Sequence, residues 1–452
     1  MRQQRHRGPL AGWSWIRAAA ASLALQAGLS LLQSPAPAQA SEPDTGSEQQ
    51  PELIALPDSW PTLQKLLNLP EWAQLQLSYT AEPLFNPIGG ERSAGSWIQQ
   101  TSLNLTLGAG LNTPTSQWDE FDHWRLNLNA NHDAGDAYYN AQIGALFSLQ
   151  TAANPVGLYF TEASIERKRG EGWLGVKAGI LPLDPEFVVA PVLNFYVHAS
   201  LDDTLNLYTP NLPIDPFAAL GGVLSIHPSD AITVRYGLFD LSTTQSIGKW
   251  LTDFPDGVPD GSGTAQFLQL NIEPNGWGAS PDTPIEACRK ATGIVRGHSD
   301  CRQPVLVQNQ LPAGMINLGG FLTSHSGDGV YGTVTLRSGL PLGLDDRVWV
   351  GASYTPDSSQ VIATSFIAGG LVIQGPLPGR PLDVALLGIG RGGLSNQLTN
   401  SPYEGMLELG YRVQFNETLN LQPTLQWIFN PSGAKQPVPG ILAAGMQIEL
   451  NF

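Results

Sequence analysis

From Trp97 to the C-terminus, apolar and polar residues alternate in short segments instead of recurring at helical spacing. Ser102, Asn104 and Thr106 alternate with Leu103, Leu105 and Leu107, and Arg125, Asn127, Asn129 and Asn131 alternate with Leu126, Leu128 and Ala130. The last segment, ILAAGMQIELNF, sets Met446, Ile448, Leu450 and Phe452 on one face and Gln447, Glu449 and Asn451 on the other. Strict period two is the signature of a strand with one apolar and one polar side. The pattern predicts about sixteen strands, starting near residues 97, 122, 137, 156, 172, 218, 230, 263, 313, 329, 346, 361, 381, 403, 418 and 441. An even count puts both chain ends on one rim of a closed barrel. The tight turns DAGD (133–136), RGEG (169–172), HPSD (227–230) and FNET (415–418) then share that rim, while long connections at 182–217, 241–262 and 391–402 lie on the other. Residues 73–79 alternate as well, but counting them makes seventeen and breaks the parity, so either they lie outside the barrel or an eighteenth strand accompanies them.

A soluble sandwich would alternate too, so composition decides the fold class. Only 14% of the 452 residues are charged, and glycine (49) and proline (36) are abundant. After the N-terminus no apolar run reaches the roughly 18 residues that suggest a helical span. The chain stops on an aromatic, Phe452, directly after a strand pattern, where it suits a bilayer rim. The expected fold is all-β, a transmembrane antiparallel barrel of about sixteen strands with a short N-terminal helix.

The start reads as an export signal. Arg2, Arg5, Arg7 and Arg17 precede or flank an uncharged stretch, Ala18 to Leu32, and Ala38-Gln39-Ala40 is an A-x-A cleavage site. Residues 1–40 are therefore set aside as a signal peptide. Losing four arginines takes the 23 basic residues to 19 against 39 acids, a formal charge of −20, which argues against nucleic acid as a partner. Residues 41–96 form a periplasmic lead-in, acidic and Pro-rich to residue 57, then a short helix from Asp58, Ser59 and Pro61 to Leu69 with Leu63, Leu66 and Leu67 as its apolar stripe. The barrel occupies 97–452.

Cys288 and Cys301 are the only cysteines, and in an exported chain a disulfide is the default reading. Closing that loop contributes about 3 kcal/mol in the chain-entropy account. Parity puts the insertion that carries them, 274–312, on the rim of the termini, as a stapled excursion or with a further strand pair near Val305 to Val307. Nothing calls for a metal or cofactor, and G-x-S-x-G, H-E-x-x-H and P-loop motifs are missing. Asp202 and Asp203 are adjacent and point oppositely in extended chain, a poor pair for acid–base work. An enzyme is not expected.

The second half resembles the OprB family of carbohydrate-selective porins. The resemblance rests on GRPLDVALLGIGRGGLS (379–395), on LELGYRVQFNETLNLQPTLQWIFNPSG (407–433) and on terminal Phe452; AGILPLDPEFV (178–188) and RYGLFD (235–240) are also similar. It extends from about residue 72 to the end. The insertion with the cysteines departs from the pattern, as does the lack of a surface-layer-homology domain, which some cyanobacterial relatives carry ahead of the barrel. The resemblance implies a sixteen-stranded trimeric channel in the outer membrane of a Gram-negative-type bacterium, in contact with lipid and passing sugars by diffusion. It also implies that the insertion machinery reads Phe452. A porin for ions or inorganic nutrients, and a secreted β-sandwich that binds carbohydrate, are the competing functions.

The connection 182–217 looks like the loop that folds into a porin lumen. Its acids are Asp184, Glu186, Asp202, Asp203 and Asp215, with Tyr196 and Tyr208 among its aromatics. Carboxylates accept hydroxyl hydrogen bonds, and ring faces stack on apolar C–H patches of a sugar. On the alternation, Lys168, Lys177, Arg235, Arg337, Arg347 and Arg412 share the lumen phase with Glu162, Glu166, Glu408 and Trp349. Facing lipid, such a cation would cost about 2–4 kcal/mol near the midplane, so strand arginines should point inward.

Overall fold

The structure is a computed structural model that describes residues 61–108, 124–167, 173–202, 212–244, 262–274, 311–339 and 344–452, except the positions 62, 71, 185, 189, 230, 325, 326, 358, 379, 381 and 417. Residues 1–40, both cysteines, Lys168, Asp203 and Tyr208 lie outside the described residues. The strands are β1 (Ala73–Ile88), β2 (Gly95–Gly108), β3 (Trp124–Gly135), β4 (Gly157–Arg167), β5 (Leu174–Leu181), β6 (Ala219–Ser229), β7 (Ile232–Asp240), β8 (Thr264–Ile272), β9 (Met315–Thr323), β10 (Gly329–Leu336), β11 (Asp345–Tyr354), β12 (Ala363–Gln374), β13 (Val384–Leu394), β14 (Tyr403–Gln414), β15 (Leu419–Phe429) and β16 (Ile441–Asn451). Each pairs antiparallel with its sequence neighbours, and β1 pairs with β16, so the sheet closes into a sixteen-stranded barrel. Closure removes the sheet edges, which a membrane does not tolerate.

The strand count agrees with the sequence, but two of its members do not. The excluded piece 73–79 opens β1, so the barrel starts at Ala73 and not at residue 97. Ser78 stands opposite Asn451, and Leu77 exchanges backbone hydrogen bonds with Phe452 (3.1 and 2.8 Å). The strand expected near 137 is instead a helical turn, α2 (Tyr139–Ile143), ending at Gly144 in the left-handed conformation. DAGD consequently ends β3 at the rim opposite the termini, where it makes no hairpin turn; HPSD and FNET keep their rim, and RGEG lies outside the described residues. β8 pairs directly with β9; Val305 to Val307, where a further strand pair is the alternative reading, lie outside the described residues.

The expected helix is one turn, α1 (Leu63–Leu66), and its leucine stripe stays uncovered, with Leu66 and Leu67 both exposed. Contact runs through Gln64, whose Nε2 donates to Ala73 O (2.9 Å) and whose Oε1 accepts from Leu75 N (3.2 Å). β16 ends too early to pair this part of β1. The Gln64 amide thus satisfies the backbone groups left over where the chain runs out.

Alternation sorts the side chains by solvent. The outward face is apolar, with Leu103, Leu126, Leu128, Ile165, Leu268, Val350, Ile367 and Leu425 exposed on it. Exposed aromatics ring both ends: Trp72, Trp124, Trp173 and Phe415 at the rim of the termini, Phe85, Trp97, Tyr354 and Phe429 at the other. An apolar band between two aromatic girdles is the surface a bilayer requires.

Candidate functional site

Two connections fold back into the lumen from the rim opposite the termini. One is the described part of the expected 182–217 segment, 182–202 and 212–217 except 185 and 189, between β5 and β6; the other is 136–156 between β3 and β4, where the alternation predicts a strand. Both cross to the wall built by β11–β16 and β1. Their apolar residues, among them Phe147, Leu149, Leu193, Phe195, Tyr196 and Leu201, bury with Trp349, Phe366 and Met406 in one cluster inside the barrel. A second cluster, around Phe187, Phe239, Phe267 and Phe321, holds the foot of the 182–217 segment against β7–β9.

Inward carboxylates and amides of the wall receive the loops' backbone. Glu408 on β14 accepts from Val197 N (2.9 Å) and His198 N (2.8 Å), and Gln422 donates to Phe195 O (2.7 Å). Two repeats of the alternation earlier, Glu404 accepts from Leu146 N and Phe147 N (2.9 Å each) and from Ser432 N (2.6 Å). Glu82 on β1 accepts from Thr151 Oγ1 (2.6 Å) and Ala152 N (3.1 Å), while Gln269 on β8 accepts from Val188 N (2.8 Å). These are charge-assisted or buried bonds at about 1.5–3 kcal/mol for an ionised acceptor. Ordering the segment 190–202 costs roughly 1–2 kcal/mol per residue, so apolar burial must contribute the larger share.

The glycines of GIGRGG on β13 make that burial possible. Gly388 and Gly392 face inward, and a Cβ on them would lie 2.5 Å from Tyr196 Cε1 and 2.4 Å from Phe147 Cζ. Tyr196 Oη donates to Leu387 O (3.0 Å) and accepts from Trp349 Nε1 (2.8 Å). His198 is fully buried, which drives its imidazole down to about 3.

Of the candidate residues, Lys177, Glu186 and Arg235 come together at the loop's foot. Lys177 Nζ lies 2.8 Å from Glu162 and 2.9 Å from Glu186, and Arg235 Nη1 donates to Glu186 O (3.4 Å). On the far wall Arg412 pairs with Glu449 and sits 5.9 Å from the Phe195 ring centroid. Asp215 Oδ1 accepts from Asn131 Nδ2 (3.2 Å), tying the loop's return to β3. Asp202 sits in a turn in which its N–H donates to His198 O (3.1 Å).

Four candidates are placed differently from the expectation that they meet a solute. Asp184 is buried and accepts from Asp215 N (3.0 Å), so it joins the two ends of the loop. Tyr196 is buried in the apolar cluster. Arg347 has no exposed surface and reaches Pro312 O (2.5 Å) and Asp345 (2.7 Å); with Arg337, 3.4 Å from Asp345, it belongs to the rim of the termini. Sequence reasoning missed Glu82 and Glu404 as anchors, because a lumen-phase carboxylate looks the same whether it faces water or a loop.

A closed barrel with an apolar, aromatic-girdled exterior, a polar interior and loops crossing that interior is a membrane channel of the porin class. The chain belongs to the carbohydrate-selective porin, OprB family, whose pattern matches residues 118–452. Family and barrel place it in the outer membrane of a Gram-negative-type bacterium. The fold is similar to the high-pH structure of Pseudomonas putida OprB at 16% identity, with a TM-score of 0.67, covering 86% of this chain and 96% of that one. The low-pH structure of the same protein matches at 16% identity and a TM-score of 0.50, covering 88% and 100%. Among curated proteins none matches.

Proposed function

We propose that this protein passes carbohydrates and other small neutral solutes through the outer membrane by diffusion, with the 182–217 segment as its constriction. The single observation that carries this is the segment's path: it leaves β5, docks at Glu408 and Gln422 on the opposite wall, and so divides the lumen. At its foot lie Lys177, Glu162, Glu186 and Arg235; beyond it lie Arg412 and Glu449. Charges of both signs across a narrow wet gap orient water and strip it unevenly, while a neutral polyol can exchange water contacts for carboxylate and guanidinium partners. Asp203 and Tyr208 extend the same loop and are proposed as further contacts. The chain is exported through the cleaved leader 1–40, assembles as a trimer, and is inserted by machinery that reads Phe452. A disulfide between Cys288 and Cys301 staples the insertion.

Liposome swelling tests the proposal. Vesicles holding the purified protein should swell in isotonic glucose faster than empty vesicles. Equal rates for both, with ions still conducted, would instead indicate a channel for ions or inorganic nutrients.

A further inference from the structure

We propose that the inward faces of β1–β4 form a binding track for neutral polyols, built from side-chain amides and hydroxyls; it rests on the reading of the protein as a sugar channel. The register sets these side chains in rungs straight across four strands. One rung is Gln74, Thr106, Asn127 and Ser164; the next is Gln76, Asn104, Asn129 and Glu162. Beyond them Ser102 stands opposite Asn131, which is held by Asp215 of the constriction segment. The track therefore starts at the constriction and runs toward the rim of the termini.

The spacing suits a sugar. Rungs on one face repeat at about 7 Å along a strand and strands lie about 4.8 Å apart, so four strands make a patch roughly 14 Å wide. Every position before Glu162 is uncharged, and Glu162 is itself paired with Lys177 at 2.8 Å. Chemistry matters more than size here. A carboxylate only accepts and a guanidinium only donates, whereas an amide or hydroxyl does both, as each sugar hydroxyl does. Ser102 Oγ bonds Asn129 Oδ1 (3.2 Å) and Asn131 Oδ1 (2.6 Å), and Asn127 Nδ2 bonds Ser164 Oγ (3.4 Å). Such bonds hold the side chains in place without using up an amide's four bonding positions. Many weak, equivalent sites in a row also meet the requirement of transport, since a solute must leave as readily as it enters.

The wall opposite cannot serve in this way, because the two loops cover it with an apolar cluster. Asn104 and Asn129 occupy the centre of the uncovered patch and decide the test. Replacing both with valine removes the hydrogen-bonding groups, and replacing both with threonine restores a hydroxyl at the same shape. Single-channel current is recorded with glucose as the blocker. The N104V/N129V channel should conduct ions as the parent does but need about fivefold more glucose for half-block, the loss of roughly one hydrogen bond. N104T/N129T should stay within about twofold of the parent on the same scale. Half-block at the parent's glucose concentration in the valine channel would overturn the proposal, as would equal loss in both variants. If the valine pair does not assemble, N129V is compared with N129T by the same criteria. A parent channel that glucose neither blocks nor crosses would defeat the sugar-channel reading itself, which is a different result from a parent that is blocked and a valine variant that is blocked equally.

Discussion

Glu408 owes its position to alternation and its role to two backbone N–H groups that arrive from another part of the chain. Its carboxylate accepts from both Val197 and His198, whereas a glutamine there would turn an NH2 toward one of them. Glu408→Gln should therefore weaken the docking of 190–202 by about 2–3 kcal/mol, read as flickering, higher conductance with the barrel still heat-modifiable. His198 adds a pH dependence. Burial holds its folded-state value at about 3 against an ordinary 6.5, so below 6.5 the undocked segment binds a proton that the docked one refuses. The contribution of His198 to docking is then fully present above pH 6.5 and is lost as pH falls toward 3. Conductance fluctuations should increase between pH 6.5 and 4.5 and should not do so in His198→Gln; identical pH profiles for the two would refute this. At this scale the sequence disclosed which side chains face inward, since alternation needs only the pleat. It did not disclose that Glu404 and Glu408 meet loop backbone while Glu162 meets Lys177, because those partners lie far away in the chain.

Among the elements, β1 and α2 show where pattern reading fails. β1 contains Pro83 and Pro87, and proline usually ends a strand; Pro83 is accommodated opposite Trp97 without a ladder bond from its nitrogen. Residues 137–149, rich in tyrosine and spaced apolar positions, satisfy strand propensity, yet their apolar groups pack against the lumen wall, and tertiary contact overrides propensity. Two elements follow as tests. Removing Phe452 deletes the last backbone pair between β16 and β1, so the folded, heat-modifiable form should fall several-fold in the outer membrane while export is unchanged; equal folded levels would contradict the closure argument. Gly388→Val drives a side chain into the Tyr196 ring, and such overpacking typically costs about 1–3 kcal/mol. That variant should raise conductance as Glu408→Gln does, and Gly388→Ala should raise it less.

For the whole molecule, the barrel was legible because a membrane permits few solutions: low charge, period two, an even strand count and aromatic ends all point the same way. The lumen was legible only in part. The GIGRGG run marked a family resemblance in the sequence, and the structure supplies its reason, a strand face kept bare so that Tyr196 and Phe147 can lie on it. A channel of this kind is defined by what narrows it. The direct measurement is single-channel conductance, with glucose as blocker, of the parent and of a variant in which residues 190–202 are replaced by a short Gly-Ser linker. The account predicts that ion conductance rises and glucose block disappears together in the variant. Unchanged conductance and unchanged block would contradict it, since the narrow part would then be built by something other than the segment docked on Glu408.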